Sequence, residues 1–162
     1  MDSLLAFCKW LEQTTIGATV RQSLWLFPAI ETAHLLGLAA LLGTIGAFDL
    51  RLMGAALRRQ SISVLGRRLL PFAWAAFTVQ VITGALLFSS EATHMVRNPA
   101  FRIKMLLILL AGVQATVFHF TARRNRPATQ DQTPRLGEKI AGFSSLLLWM
   151  GVVAAGRWIG FI

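Results

Sequence analysis

The chain has a single cysteine, Cys8, so it can close no disulfide within itself and has no cysteine pair to grip a metal. Charged residues are also scarce, at 14%, against roughly 25% in an ordinary soluble domain. No Walker loop, GxGxxG fingerprint, HExxH helix or Ser-His-Asp spacing occurs, which removes support for nucleotide and hydrolytic chemistry. The opening residues lack the basic stretch and long apolar run of a secretory signal. The first membrane segment is therefore expected to serve as its own insertion signal.

What the chain has is apolar surface. Hydrophobic residues make up 55% of 162 residues, 13 glycines add to them, and the mean hydropathy is +0.59. That balance excludes a disordered chain and points to an integral membrane protein in one domain, residues 1–162. About 20 apolar residues cross a bilayer as a helix. Four segments qualify: Leu26 to Phe48, Leu69 to Ser89, Ala100 to Ala122 and Ile140 to Gly160. The expected fold is all-α, a four-helix membrane bundle. Small residues in the spans let helices approach closely, and Ala39 with Gly43 is the pair singled out on the first span. Ahead of the bundle, Leu4, Phe7, Cys8 and Leu11 share one helical face, so residues 2–13 read as a short amphipathic helix on the membrane surface. Cys8 reads there as a small packing residue. Residues 125–134 are polar, contain Pro127 and Pro134, and read as a linker.

The net charge of +9 would suggest nucleic acid in a soluble protein. Here its placement explains it. Four spans put both termini on one side. The opposite side holds Arg51, Arg58, Arg59, Arg67 and Arg68 in one loop, and Arg123, Arg124, Arg126, Arg135 and Lys139 in the other. The termini side holds only Lys9, Arg21, Arg97, Arg102, Lys104 and Arg157. The positive-inside rule makes the richer side cytoplasmic. Both termini then face the periplasm if the cell is Gram-negative, in a multi-pass bacterial inner-membrane protein. Trp10, Trp25 and Trp158 fit an aromatic belt at the termini side. No nucleic-acid partner is expected.

Ionisable residues inside a bilayer are costly, so each is a functional candidate. At 1.5 Å per residue, His34 lies about 12 Å in from the termini side and Lys104 about 6 Å in. Glu31 sits one turn before His34 on the same face. Arg157 and Arg102 lie near that end of their helices, and His94 follows the second span. His119 is about 28 Å from the termini side and so about 16 Å from His34 in depth, too far for both to bind one haem iron. His34 could pair with His94 or with Lys104. Each residue also has a plainer reading. Glu31 and Arg157 could form a structural ion pair, Lys104 could snorkel to the surface, and His119 could be a packed interfacial histidine. On the third span His119 shares a stripe with Lys104, Ala111 and Ala115. Gln80 and Thr83 read as inter-helical hydrogen-bonding residues. His94 with Met95 offers imidazole and thioether, which suit copper.

The segments Glu31-Thr32-Ala33-His34-Leu35-Leu36-Gly37-Leu38, Asp49-Leu50-Arg51-Leu52-Met53-Gly54 and Asn98-Pro99-Ala100-Phe101-Arg102-Ile103-Lys104-Met105-Leu106-Leu107 resemble an uncharacterised bacterial family of four-helix inner-membrane proteins. More distantly, they are similar to the copper-resistance D membrane domain and to the HemJ-type protoporphyrinogen oxidase. The HemJ resemblance implies His34 as haem ligand and Lys104 as a second critical residue. The copper resemblance implies His94 and Met95.

The leading expectation is a b-type haem membrane protein that moves electrons near the outer face, between a quinone or other membrane donor and a periplasmic partner. It would be a haem-dependent oxidoreductase component if it is an enzyme at all. The expected cofactor is haem b, held by His34 with Lys104, Glu31, Arg102 and Arg157 around it. Copper at His34 and His94 is the alternative cofactor. The alternative roles are a non-catalytic membrane subunit or a copper or small-solute transporter, the latter needing oligomerisation to build a pore.

Overall fold

The computed structural model describes residues 2–124 and 133–161. Among them run seven α-helices and no strand: α1 (Asp2–Gln13), α2 (Thr15–Gln22), α3 (Leu26–Met53), α4 (Ile62–Ser90), α5 (Ala92–Arg97), α6 (Pro99–Arg124) and α7 (Leu136–Trp158). A 3₁₀ turn, Ile159–Phe161, ends the described chain. Of these helices, α3, α4, α6 and α7 are long and apolar enough to cross a membrane, and they pack as a bundle. The stretch expected to be a linker lies, as far as residue 132, outside the described residues.

Helix ends explain why the first two spans run further than an apolar window shows. Gly54 adopts φ +73° and donates its N–H to the Arg51 carbonyl at 3.0 Å, which closes α3. Ser61 caps α4, with Val64 N 3.5 Å from its hydroxyl. Only residues 54–61 connect the two helices. Arg51, expected in the loop as a stop signal, is instead inside α3 and only 1% exposed. Its Nε donates to the Gln60 carbonyl at 2.6 Å. Arg67 and Arg68 are likewise on a helix, exposed along α4. Apolar windows measure the hydrocarbon crossing alone. A helix can continue beyond it because long arginine stems cover apolar surface while their heads find polar partners.

The four long helices are not equivalent. α3 packs against both α4 and α7, and α7 packs against α6. α4 and α6 do not pack closely on each other along their length. Glycines set the tight contacts. A Cβ on Gly37 would lie 3.0 Å from Val79 Cγ1 and from Gln80 Nε2 of α4. One on Gly142 of α7 would lie 2.7 Å from the Asp49 carbonyl oxygen of α3. These positions, not Ala39 and Gly43, mediate close approach. Both of the latter are exposed, and a Cβ on Gly43 would meet nothing within 4 Å. The physical reason is register: Gly37, Leu41 and Leu52 are buried on α3, and Gly43 falls off that stripe at 3.6 residues per turn.

A helix forms where the amphipathic one is expected, as α1, and it packs on α4 and α5. Cys8 is buried where α1 meets α4 and α5, while Leu4, Phe7 and Trp10 stay exposed. Thr14 then breaks the chain. Its hydroxyl donates to the Leu11 carbonyl at 2.6 Å and accepts from Gly17 N at 3.3 Å. The following helix, α2, packs on α4, and a Cβ on Gly17 would come within 2.6 Å of the Ser89 carbonyl oxygen.

The glycine contacts give a direct test. Gly142→Ala should destabilise the detergent-purified protein by about 1–3 kcal/mol, because the added methyl meets backbone that cannot swing aside. Gly43→Ala should change stability by less than about 1 kcal/mol, and in the favourable direction. Thermal unfolding of the two variants beside the parent protein checks both.

Candidate functional site

The site begins with the contact between α3 and α4. Gly84 leaves α4 without a side chain opposite the His34 ring, and a Cβ there would stand 3.4 Å from His34 Cε1. The ring can therefore lie against the α4 backbone and reach Thr83. His34 Nδ1 is 2.8 Å from Thr83 Oγ1. One turn earlier on α4, Gln80 donates its Nε2 hydrogen to the His34 carbonyl oxygen. Thr83 and Gln80, three residues apart and so on one helix face, hold the same histidine at its ring and at its backbone.

The tautomer is assigned from the neighbouring hydrogen bonds. Thr83 has one hydroxyl hydrogen, and the Val79 carbonyl lies 2.6 Å from its Oγ1. With that hydrogen committed to Val79, Thr83 accepts from His34, and the hydrogen belongs to Nδ1. The neutral ring then presents an unprotonated Nε2 with its lone pair in the ring plane. An outer hydrogen bond that fixes one ring nitrogen so that the other faces a ligand is the usual arrangement around metal-binding histidines.

Lys104 supplies the second charged group. It starts the second turn of α6 and lies flat across α7, with Cδ, Cε and Nζ each 3.7 Å from where a Gly156 Cβ would be. It is close enough to His34 to act on it electrostatically. Among the described residues its ammonium makes no hydrogen bond or ion pair. Above these two groups, at the termini end, Phe88 of α4 and Phe101 of α6 stack at 5.5 Å with an interplanar angle of 12°. The site thus combines a free imidazole lone pair from α3 and a partly buried cation from α6. The two rings join α4 and α6 at the termini end.

The other residues singled out in the sequence lie further out. Glu31, Arg102 and Arg157 are exposed. The Arg157 guanidinium sits 5.3 Å from the centre of the Phe161 ring. No ion pair between Glu31 and Arg157 occurs among the described residues. His94 is exposed on α5, in an open cleft it shares with Glu12, Glu91, Thr93 and Arg97. Glu12 is engaged there, since its Oε1 accepts from Thr93 N at 2.7 Å. Among the described residues, no three His, Cys, Asp or Glu side chains come together as a metal-binding group. His119 is exposed near the far end of α6, edge-on to Phe120. It does not share the inward stripe of Lys104 and Ala111: Ala111 is buried and Lys104 partly so, whereas Ala115 and His119 face outward.

Two features were not read as functional from sequence. Thr83 and Gln80 were assigned to hydrogen bonding between helices, and the structure shows that their partner is His34 itself. Asp49 enters the sequence reading only within a segment that carries the family resemblance, yet it is 4% exposed within α3. The available signal was Gly54 followed by Ser61, a helix stop and a helix start. That pair places residues 49–53 inside a helix.

Residues 7–162 match DUF6644, a family of unknown function. No curated protein and no protein of solved structure matches the chain. The more distant similarity to the copper-resistance and HemJ-type families therefore receives no support.

Removing the Thr83 hydroxyl should leave the His34 ring without its partner. Thr83→Val is expected to cost about 0.5–2 kcal/mol of stability, the range for an inter-helical hydrogen bond in a membrane protein. Thr83→Ser should restore most of it. Comparing thermal unfolding of the two variants in one detergent tests the assignment.

Proposed function

We propose, for a chain that belongs to the DUF6644 family of unknown function, that it is a b-type haem-binding membrane protein with His34 as axial ligand. The observation that carries this reading is the oriented His34 ring, with Nδ1 tied to Thr83 and Nε2 left free. Donor number favours haem over copper. A copper ion needs several protein ligands, and no group of three His, Cys, Asp or Glu is present among the described residues. A porphyrin brings four nitrogens of its own and asks the protein for one or two axial ligands. Its propionates need cations. Lys104 lacks an anionic partner beside His34, and Arg102 and Arg157 are exposed at the same end of the bundle.

Bound haem would supply a one-electron couple, and the protein would tune it through the axial ligand and burial. The residues here do the holding: Thr83 fixes the His34 ring, Gln80 holds its backbone carbonyl, and Lys104 contributes positive charge next to it. The natural donors for such a site are membrane quinols, with a periplasmic acceptor. The excess of cations at the end away from the termini supports an orientation with that end in the cytoplasm of the inner membrane.

A reduced-minus-oxidised absorbance spectrum of the purified protein tests the reading. The expected result is a b-type Soret and alpha band that is lost in His34→Ala and kept in His119→Ala. Folded protein with no band, reconstituted with haem or not, would overturn it and favour a non-catalytic membrane subunit.

A further inference from the structure

The end of the bundle away from the termini carries a basic patch that the haem reading leaves unused. Residues 50–90 contain five arginines, Arg51, Arg58, Arg59, Arg67 and Arg68, and no Asp or Glu. Arg51 is buried, and its Nε donates to the Gln60 carbonyl. Arg58 turns back within the connection, its Nε donating to the Gly54 carbonyl. Arg67 and Arg68 differ from both. They are exposed on α4, and among the described residues neither has a hydrogen bond or an ion pair. A guanidinium does not give up its proton, so their charge has to be met by water or by an anion from outside the chain.

Depth separates these two from the turn. They stand directly before the apolar run Leu69 to Ser89, which is about 30 Å long as a helix and fills the hydrocarbon layer. Arg67 and Arg68 therefore lie at its boundary, the level of the lipid phosphates. Ser61, the cap of α4, is about 9 Å further out, and Arg58 and Arg59 precede it in the turn. Rotation then turns Arg67 towards lipid. Gly66 faces α3, since a Cβ there would lie 3.2 Å from the Phe48 ring. One residue turns a helix by about 100°, which carries Arg67 off that contact. Arg67, Leu70 and Trp74 follow at steps of three and four and share one face. All three are exposed, Leu70 at 45% and Trp74 at 61%. Trp74 also meets Phe77, one turn on, edge to face at 6.0 Å. A cation at phosphate depth is thus continued into the hydrocarbon layer by an apolar strip. That is the order of parts in a phospholipid, phosphate first and acyl chain below. A soluble anion would use the cation alone.

We propose that Arg67, Leu70 and Trp74 form a binding site for one anionic phospholipid. The Arg67 guanidinium takes the phosphate through paired N–H donors, and Arg68 adds charge at the same depth. Leu70 and Trp74 lie along the acyl chain. A net negative lipid is favoured over a zwitterionic one, because no carboxylate in residues 50–90 offsets the arginines.

Thermal unfolding of the full chain in a neutral detergent tests this, with phosphatidylglycerol, phosphatidylcholine or inorganic phosphate added. The expected result is a saturable rise in Tm with phosphatidylglycerol, a much weaker one with phosphatidylcholine and none with phosphate at the same concentration. Arg67→Gln should raise the half-saturating phosphatidylglycerol concentration about tenfold and Trp74→Ala about threefold, whereas Arg59→Gln in the turn should leave it unchanged. No rise with phosphatidylglycerol, or an equal rise with phosphatidylcholine or phosphate, would overturn the proposal. So would an Arg59→Gln effect as large as that of Arg67→Gln, the mark of diffuse charge attraction. If Arg67→Gln does not fold, Arg67→Lys and Trp74→Ala decide, and an unchanged half-saturating concentration in both overturns it.

Discussion

The His34–Thr83 hydrogen bond is the contact on which the termini half of the bundle depends. Inside a bilayer no water is available to satisfy an imidazole, so its polar atoms must be met by protein. Meeting them fixes much else. Thr83 must face α3, and Gly84 must have no side chain so that the ring can lie against α4. Gly37 must be small so that Gln80 can reach the His34 carbonyl. These demands fall on residues within two turns of one another, and together they determine how closely α3 and α4 approach. The same network commits the Nδ1 hydrogen and leaves Nε2 for something else.

Asymmetry in the bundle follows from where such polar contacts lie. α3 is the shared helix: it meets α4 through the His34 network and α7 through Gly142 and Asp49. α6 is joined mainly to α7, by Gln114 and by Lys104 lying over Gly156. α4 and α6 meet through the Phe88–Phe101 stack rather than through a comparable network. Two groups with unmet needs, the His34 lone pair and the Lys104 ammonium, are neighbours in the termini half. A third and fourth, Asp49 Oδ2 and Gln114 Oε1, are enclosed nearer the other end.

Apolar run length was enough to read four crossing helices and the amphipathic α1, because both patterns arise from burial of side chains against lipid or protein. Helix depth was enough to separate His34 from His119 and to keep Lys104 as a neighbour of His34. What depth does not give is rotation about the helix axis. Glu31 shares a level with His34 yet is exposed, and Gly43 looks like a packing glycine yet faces outward. The sequence sets Lys104 and His119 on one stripe, but the two four-residue steps beyond Ala111 turn about 80° round the helix, so Ala115 and His119 lose the inward face. Arg51 was read as a loop charge because charge was treated as the end of a helix. The left-handed Gly54 was the better sign of where α3 stops. The partners of buried polar atoms are set by how neighbouring helices are turned, and a single sequence carries little of that.

The central claim is that Thr83 holds His34 with its hydrogen on Nδ1 and Nε2 unprotonated. Nitrogen NMR of the full chain with ¹⁵N-labelled histidine, assigned through His34→Ala, reads the two ring nitrogens directly. The expected spectrum has the hydrogen on Nδ1 alone, with Nε2 bare or metal-bound. A hydrogen found on Nε2 of His34 would contradict the account.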